Sequence, residues 1–137
     1  METHRITVKA MVKNEVERVW ECWTHPEHIT QWNFAADSWC CPRAENDLKV
    51  GGRYMARMEA KDGSFGFDFE AIYDEVVRHK KISYTMMDGR QATPTFENSG
   101  NGTLVTTVFD PEDQNPLEMQ EGGWQAILNN FKTYVEG

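Results

Sequence analysis

Between Asn115 and Val135 the residues Trp124, Ile127, Leu128, Phe131 and Val135 recur at i, i+3, i+4, i+7 and i+11, which is the spacing of one helical face. Pro116 suits a first helical position, where the N–H it lacks would be unpaired anyway. Asn115 and Glu118 have the spacing of a capping box. Gln125, Asn129, Asn130, Lys132 and Glu136 fall mostly on the other side. So long an apolar stripe demands a covering surface, and the chain before it reads as short alternating strands, so the cover is one face of an antiparallel sheet. Gly122 and Gly123 sit inside this helix, each at a cost of roughly 1 kcal/mol relative to Ala. They mark either a kink or room between helix and sheet for a bound molecule.

The remaining elements follow from period and punctuation. Ile6, Val8, Ala10 and Val12 alternate with Thr7, Lys9 and Met11 as a first strand, which Asn14 ends while offering a helix cap. Val16, Val19, Trp20 and Trp23 then predict a short helix over 15–23 with two indoles on its buried side. Pro26 and the Ile29/Trp32 pair predict a second over 26–32, capped by Thr24 or His25. Residues 33–42 show no clear period and read as a loop or an irregular edge. From Arg43 onward the turn signals at 50–52, 61–64, 88–89 and 98–102 divide the chain into strands at 53–60, 65–75, 81–87, 90–97 and 103–109. Pro94 cannot donate to a ladder, which predicts an edge strand or a bulge there. The fold class is α+β, with no repeat or linker to divide it.

Alternation also assigns faces. Phe65, Phe67, Phe69, Ala71 and Tyr73 should face the long helix, with Tyr54, Ala56 and Met58 beside them. Arg57, Glu59, Asp68 and Glu70 then share the outer face as a charge ladder, because burying four charges costs far more than exposing a few rings. The opposite register would put paired carboxylates inside, where they could do acid–base work. Ile82, Tyr84, Met86, Ala92, Phe96, Val105 and Phe109 complete the expected interior.

Charge and motif content narrow the function. A net charge of −8 over 137 residues disfavours nucleic acid and anionic membranes, which both ask for a positive face. Arg78-His79-Lys80-Lys81 is too short to reverse this and reads as a turn before a strand. No apolar run is long enough to span a bilayer, and the residues before Ile6 lack the apolar core of a secretory signal. Three cysteines without C-x-x-C spacing imply neither a disulfide framework nor zinc, and fit a reduced cytoplasm. His25 and His28 lack the i, i+4 spacing and third ligand of a metal site. Cys40 and Cys41 would be reactive only beside a cation such as Arg43. No phosphate loop, dinucleotide fingerprint or nucleophile elbow is present, so no metal, cofactor or catalytic residue is assigned.

Several strings together resemble a known family: Val16-x-x-Val19-Trp20-x-x-Trp23-Thr24, Pro26-Glu27-His28-x-x-x-Trp32, Asp47-Leu48-x-Val50-Gly51-Gly52-Arg53-Tyr54, Tyr73-x-Glu75-Val76 and Gly123-Trp124-x-x-x-Leu128-x-x-Phe131. The chain resembles the START-like (SRPBCC) superfamily over nearly its whole length, in the branch named for the activator of the ninety-kilodalton heat-shock protein ATPase. His25, Glu15-Val16 and Pro94 depart from the usual pattern. The resemblance implies a helix-grip fold: a curved antiparallel sheet of six or seven strands around the C-terminal helix, two short helices after the first strand, and a hydrophobic cavity between sheet and helix. Members bind lipids, sterols, polyketides or other apolar molecules, and some catalyse cyclisation or hydrolysis.

The leading expectation is a protein that binds an apolar small molecule. Its wall would comprise Trp32, Phe34, Trp39, Tyr54, Met58, Phe67, Phe69, Tyr84, Met86, Phe96, Gly123, Trp124, Ile127, Leu128 and Phe131, with Tyr54, Tyr73 or Tyr84 supplying an orienting hydroxyl. A co-chaperone-like interaction module follows from the family's name alone, and would show an apolar patch near residues 32–39. An enzyme acting on an aromatic or polyketide substrate would need an ionisable group in the cavity with a displaced pKa.

Overall fold

The computed structural model describes residues 5–137; residues 1–4, before the first strand, lie outside the described part. In chain order the elements are β1 (Ile6–Val12), α1 (Val16–Thr24), α2 (Pro26–Ile29), β2 (Trp39–Asn46), β3 (Arg53–Ala60), β4 (Gly66–Val77), β5 (Lys81–Met86), β6 (Gln91–Asn98), β7 (Thr103–Phe109) and α3 (Leu117–Glu136). The seven strands form one antiparallel sheet ordered β1-β7-β6-β5-β4-β3-β2, with the two helices after β1 carrying the chain from one edge to the other. Register shifts between Cys40 and Arg43 in β2 and between Tyr73 and Glu75 in β4 add local twist and curl the sheet into a half-barrel. This is the α+β helix-grip architecture.

One turn shows why the sequence folds this way locally. Gly51 has φ +82°, and a Cβ on Gly52 would lie 2.0 Å from the Asp47 carbonyl oxygen, so neither position tolerates a side chain. Held so tightly, the turn reaches β4: Gly51 N–H donates to Tyr73 O at 2.8 Å and Tyr73 N–H to Gly52 O at 3.0 Å. Tyr73 is thereby fixed with its ring inward, beside the bulge that bends its strand.

The stripe on α3 faces the concave side of the sheet. Leu128, Phe131 and Val135 join Val8, Val12, Val19, Ile29, Val105 and Phe109 in the core. The polar side of α3 is not simply solvated. Gln125 Oε1 accepts from Lys9 N–H at 3.3 Å and its Nε2 donates to Lys9 O at 3.0 Å; Lys132 Nζ donates to Met11 O at 2.8 Å; Glu136 Oε2 accepts from Lys13 N–H at 2.8 Å. These side chains occupy the open edge of β1, which would otherwise present unpaired backbone groups to another chain.

Several expectations are corrected. Of the stretch 33–42, residues 39–42 form an irregular edge, the start of β2 at the margin of the sheet with a bulge after Cys40 that accommodates Pro42, and only 33–38 are loop. Pro94 lies in central β6, opposite Thr107 of β7. Its missing N–H falls on the β5 side, where pairing is interrupted between Lys81–Thr95 and Tyr84–Ala92 while Phe96 N–H reaches Lys80 O at 2.8 Å. The capping box does not form: Pro116 is the N-cap of α3 with no side-chain cap, and Gln120 ties the first turn to the segment before it. Its Oε1 accepts from Glu112 N–H at 2.8 Å, and its Nε2 donates to Glu112 O at 3.1 Å and Asn115 O at 2.9 Å. Asn14 Oδ1 accepts only from the adjacent Glu15 N–H, and Glu15 is the N-cap of α1. The second helix is shorter than 26–32, continuing as turn after Ile29. Phe65 does not pack under α3, being 61% exposed at the β3–β4 turn, and Phe67, although it reaches the cavity, is 42% exposed.

Candidate functional site

The outer face of β3 and β4 carries the charge ladder. Arg53 Nε donates to Glu70 at 2.8 Å, and Arg57 bridges Glu59 at 2.8 Å and Asp68 at 3.4 Å. The carboxylates are therefore outside, and the concave face is left to rings and aliphatic groups.

Between that face and α3 lies a partly open cavity of about 450 Å³. Its floor comes from alternate positions of the sheet: Val8, Tyr54, Met58, Phe67, Phe69, Tyr73, Ile82, Tyr84 and Thr107. Trp23, Trp32 and Asn33 close one side, and Met119, Gln120, Trp124, Ile127 and Leu128 of α3 form the roof. Arg90, Glu112 and Asn115 stand at the end where the β5–β6 turn meets the segment before α3. Trp124 is set by a stack on Phe109, with centroids 3.9 Å apart and planes at 10°. Tyr84 packs against Tyr54, Phe69 and Tyr73 with centroids 6.2–6.3 Å apart. Exposed Phe65, Phe67, Met87, Leu117 and Met119 lie at this same end of the sheet, with Trp39 against Phe65 and Phe67 at 6.0 and 6.3 Å. The entrance thus has an apolar rim interrupted by Arg90, Glu112 and Asn115.

Nine of the side chains expected on the wall are on it: Trp32, Tyr54, Met58, Phe67, Phe69, Tyr84, Trp124, Ile127 and Leu128. The other six lie elsewhere. Phe131 is fully buried, edge-on to Trp23 and Trp32 at 4.9 and 4.8 Å, and Phe96 packs edge-on against Trp20 and Trp23 at 5.3 and 5.5 Å, so both fill core. Met86 is core as well. Phe34 is half-buried outside the cavity, its carbonyl accepting from Asn130 Nδ2. Trp39 belongs to the exterior cluster. Gly123 does not open the cavity: a Cβ at Gly122 or Gly123 would meet nothing within 4 Å, Gly122 is exposed, and the helix runs on unbroken. The sequence reading missed Val8, Trp23, Asn33, Ile82, Arg90, Thr107, Glu112, Asn115, Met119 and Gln120 as wall residues. Val8 and Ile82 were visible in the strand alternation; the turn and loop residues carry no periodic signal.

Burial raises the pKa of Tyr54, Tyr73 and Tyr84, so all three phenols are neutral donors at ordinary pH. That shift runs away from general-base duty near neutrality. Cys41 is buried with its Sγ 3.6 Å from the Arg43 carbonyl rather than beside the guanidinium, and burial pushes its thiol up to about 11. His28 Nδ1 lies 2.6 Å from Tyr134 Oη, and no group of three His, Cys, Asp or Glu converges among the described residues. A second, more open groove, lined by Glu15, Glu17, Arg18, Glu21, Arg78 and neighbours, is charged and does not exclude water.

A family model described as Activator of Hsp90 ATPase homolog 1-like protein matches residues 13–136. The chain belongs to this family. Among solved structures it is similar to the AHSA1-like protein from Aeromonas hydrophila, with 41% identity, 97% of this chain and 92% of that one covered, and a TM-score of 0.92. It is also similar to Chr148 from Cytophaga hutchinsonii, with 45% identity, 98% and 92% covered, and a TM-score of 0.81. CV1439 from Chromobacterium violaceum shares 25% identity over 98% and 99%, with a TM-score of 0.87. No curated protein matches the chain. Among the described residues no helix is long and apolar enough to cross a membrane.

Proposed function

We propose that this AHSA1-family chain is a small-molecule binding protein that holds an apolar, ring-containing ligand between the concave sheet and α3. The observation that carries this reading is the cavity itself. Its volume of about 450 Å³ falls within the roughly 300–1,000 Å³ of small-molecule sites, and its wall is mostly aromatic and aliphatic with a few polar groups. Rings contribute area with little side-chain freedom to lose, so such a wall gains affinity from burial at small entropic cost. The apolar rim lets a poorly soluble molecule leave water before it reaches the interior.

The test is a fluorescence titration with anilinonaphthalene sulfonate and a panel of uncharged aromatics, read through Trp23, Trp32 and Trp124. Saturable quenching should be lost in Ile127→Trp, which fills the cavity from the roof. Absence of saturation by every member, or equal quenching in the filled variant, refutes the reading.

A second reading draws on the cluster of Trp39, Phe65 and Phe67, which exposes ring surface outside the cavity. On a chain of this family it would dock a chaperone. Stimulation of Hsp90 ATPase turnover that disappears in the Trp39→Ser/Phe65→Ser double variant supports docking; no stimulation by the unaltered protein removes it.

A further inference from the structure

The hydrogen-bonding capacity left unspent in the cavity says what kind of polar atom its ligand carries. Tyr54 Oη accepts from Asn33 Nδ2 at 3.1 Å, and Tyr73 Oη donates to Asn46 Oδ1 at 2.5 Å. The Gln120 amide is engaged by the segment at 112–115, and Asn115 Nδ2 donates to the Glu112 carboxylate. Tyr84 differs. Its side chain is 8% exposed, it lines the cavity, and its hydroxyl has no protein partner among the described residues. Since no fully enclosed side-chain polar atom among those residues lacks a partner, the exposure that remains to this hydroxyl is to the cavity.

Arg90 is the sole cation on the wall among the described residues, and it stands diagonally from Tyr84, two residues before Ala92, the β6 register partner of Tyr84. Its Nε donates to Asp88 Oδ2 at 2.7 Å, leaving both terminal nitrogens without a protein partner there. Thr107, on β7 across the floor, is 3% exposed with a second unpartnered hydroxyl. A phenol kept neutral by burial and a guanidinium are both donors, so the group they receive has to be an acceptor. Asp88 and Glu112 are the carboxylates nearby, and they set a local balance that favours a neutral carbonyl over a free carboxylate.

We infer that Tyr84 and Arg90 form a polar anchor that takes a carbonyl oxygen of an otherwise apolar, ring-containing ligand. This rests on the binding reading above and deepens it. Apolar contact supplies affinity. The anchor selects ring compounds bearing a ketone or ester over hydrocarbons of the same shape, because a hydrocarbon leaves the Tyr84 hydroxyl desolvated and unpaired.

The experiment uses the full chain and two probes of matched shape, methyl naphthyl ketone and the isopropylnaphthalene with the same attachment, with naphthoate as the anionic arm. Tyr84→Phe keeps the ring and should weaken the ketone about tenfold, the size expected for one buried hydrogen bond, while leaving the hydrocarbon within about twofold. Arg90→Met should weaken ketone and naphthoate, with Arg90→Lys restoring part of the loss; Arg57→Gln, on the outer face, should change neither. In the unaltered protein the carbonyl stretch of the bound ketone should move below its value in hexane, a readout that requires no variant. If neither neutral probe binds, the cavity reading falls and the anchor with it. If both bind but Tyr84→Phe weakens them equally or not at all, and the stretch stays at its hexane value, the anchor is wrong and the cavity stands. Naphthoate binding at least as tightly as the ketone would overturn the choice of a neutral carbonyl.

Discussion

Replacing Gly122 and Gly123 with alanine should stabilise the protein, although two adjacent glycines in a roof helix suggest a built-in hinge. Both lie in the 20-residue helix Leu117–Glu136, and neither has a positive φ. A Cβ at either position meets nothing within 4 Å, so there is no steric penalty to set against the gain. Helix propensity favours Ala over Gly by about 0.8–1 kcal/mol per exposed interior position, part of it through the reduced entropy of the unfolded chain. Together the two changes should add about 1.5 kcal/mol. At ~2.1 cal/mol/K per residue of unfolding entropy, that corresponds to a rise of about 5 °C in Tm. Urea unfolding followed by circular dichroism should show a higher midpoint with an unchanged slope, since the surface exposed on unfolding is the same. Affinity for any cavity probe should not move, because neither glycine touches the cavity. A lowered midpoint would refute the reasoning by showing that the helix needs the glycines in order to bend; altered affinity would show that they shape the pocket after all.

Gln120→Ala should cost about 2 kcal/mol, because Glu112 N–H and the carbonyls of Glu112 and Asn115 lose their partner, and it should also weaken probe binding by loosening the entrance; urea unfolding and a binding titration read the two effects. At high pH, Tyr54, Tyr73 and Tyr84 have folded pKa values above the ordinary 10.0, so the folded state holds their protons more tightly and the stability they contribute is lost as pH rises through and beyond that value. Phenolate absorbance from these three should therefore appear together with loss of the far-ultraviolet circular dichroism signal, and phenolate formation in a protein that is still folded would contradict the burial. At low pH the sign reverses for Glu136, whose carboxyl is held below 4.5 by the Lys132 ammonium and the Lys13 N–H. Its stabilising contribution is present above 4.5 and fades as pH falls through the folded value, so a pH series of urea midpoints should be flatter at the acid end in Glu136→Gln than in the unaltered protein.

The sequence revealed the scaffold more fully than the cavity, for a physical reason. Burial of one face imprints a period, and Tyr54/Ala56/Met58 or Trp124/Ile127/Leu128/Phe131 display it openly. The period does not say where the covering helix parts from the sheet. Trp124 and Leu128 roof an empty space, while Phe131, one turn further, is clasped between Trp23 and Trp32. The entrance residues Arg90, Glu112, Asn115 and Gln120 come from a turn, an irregular segment and a helix start brought together only by sheet order, and no local pattern records that meeting. Pro94 shows the converse: a sound local rule called for an edge or a bulge, yet a central strand accepts it where its pairing with β5 is interrupted. The glycine pair pointed to a cavity that exists, but for the wrong reason.

The fastening by Gln120 governs how the doorway responds to its surroundings. An amide has no proton to gain or lose in the ordinary range and no net charge for salt to screen. The ion pairs on the convex side, and the Arg90–Asp88 pair at the entrance, will slacken with acid or ionic strength, whereas the Gln120 clasp on the backbone of Glu112 and Asn115 should hold. The roof's first turn would then stay tied to the segment before it in a dilute buffer as in a crowded, salty one.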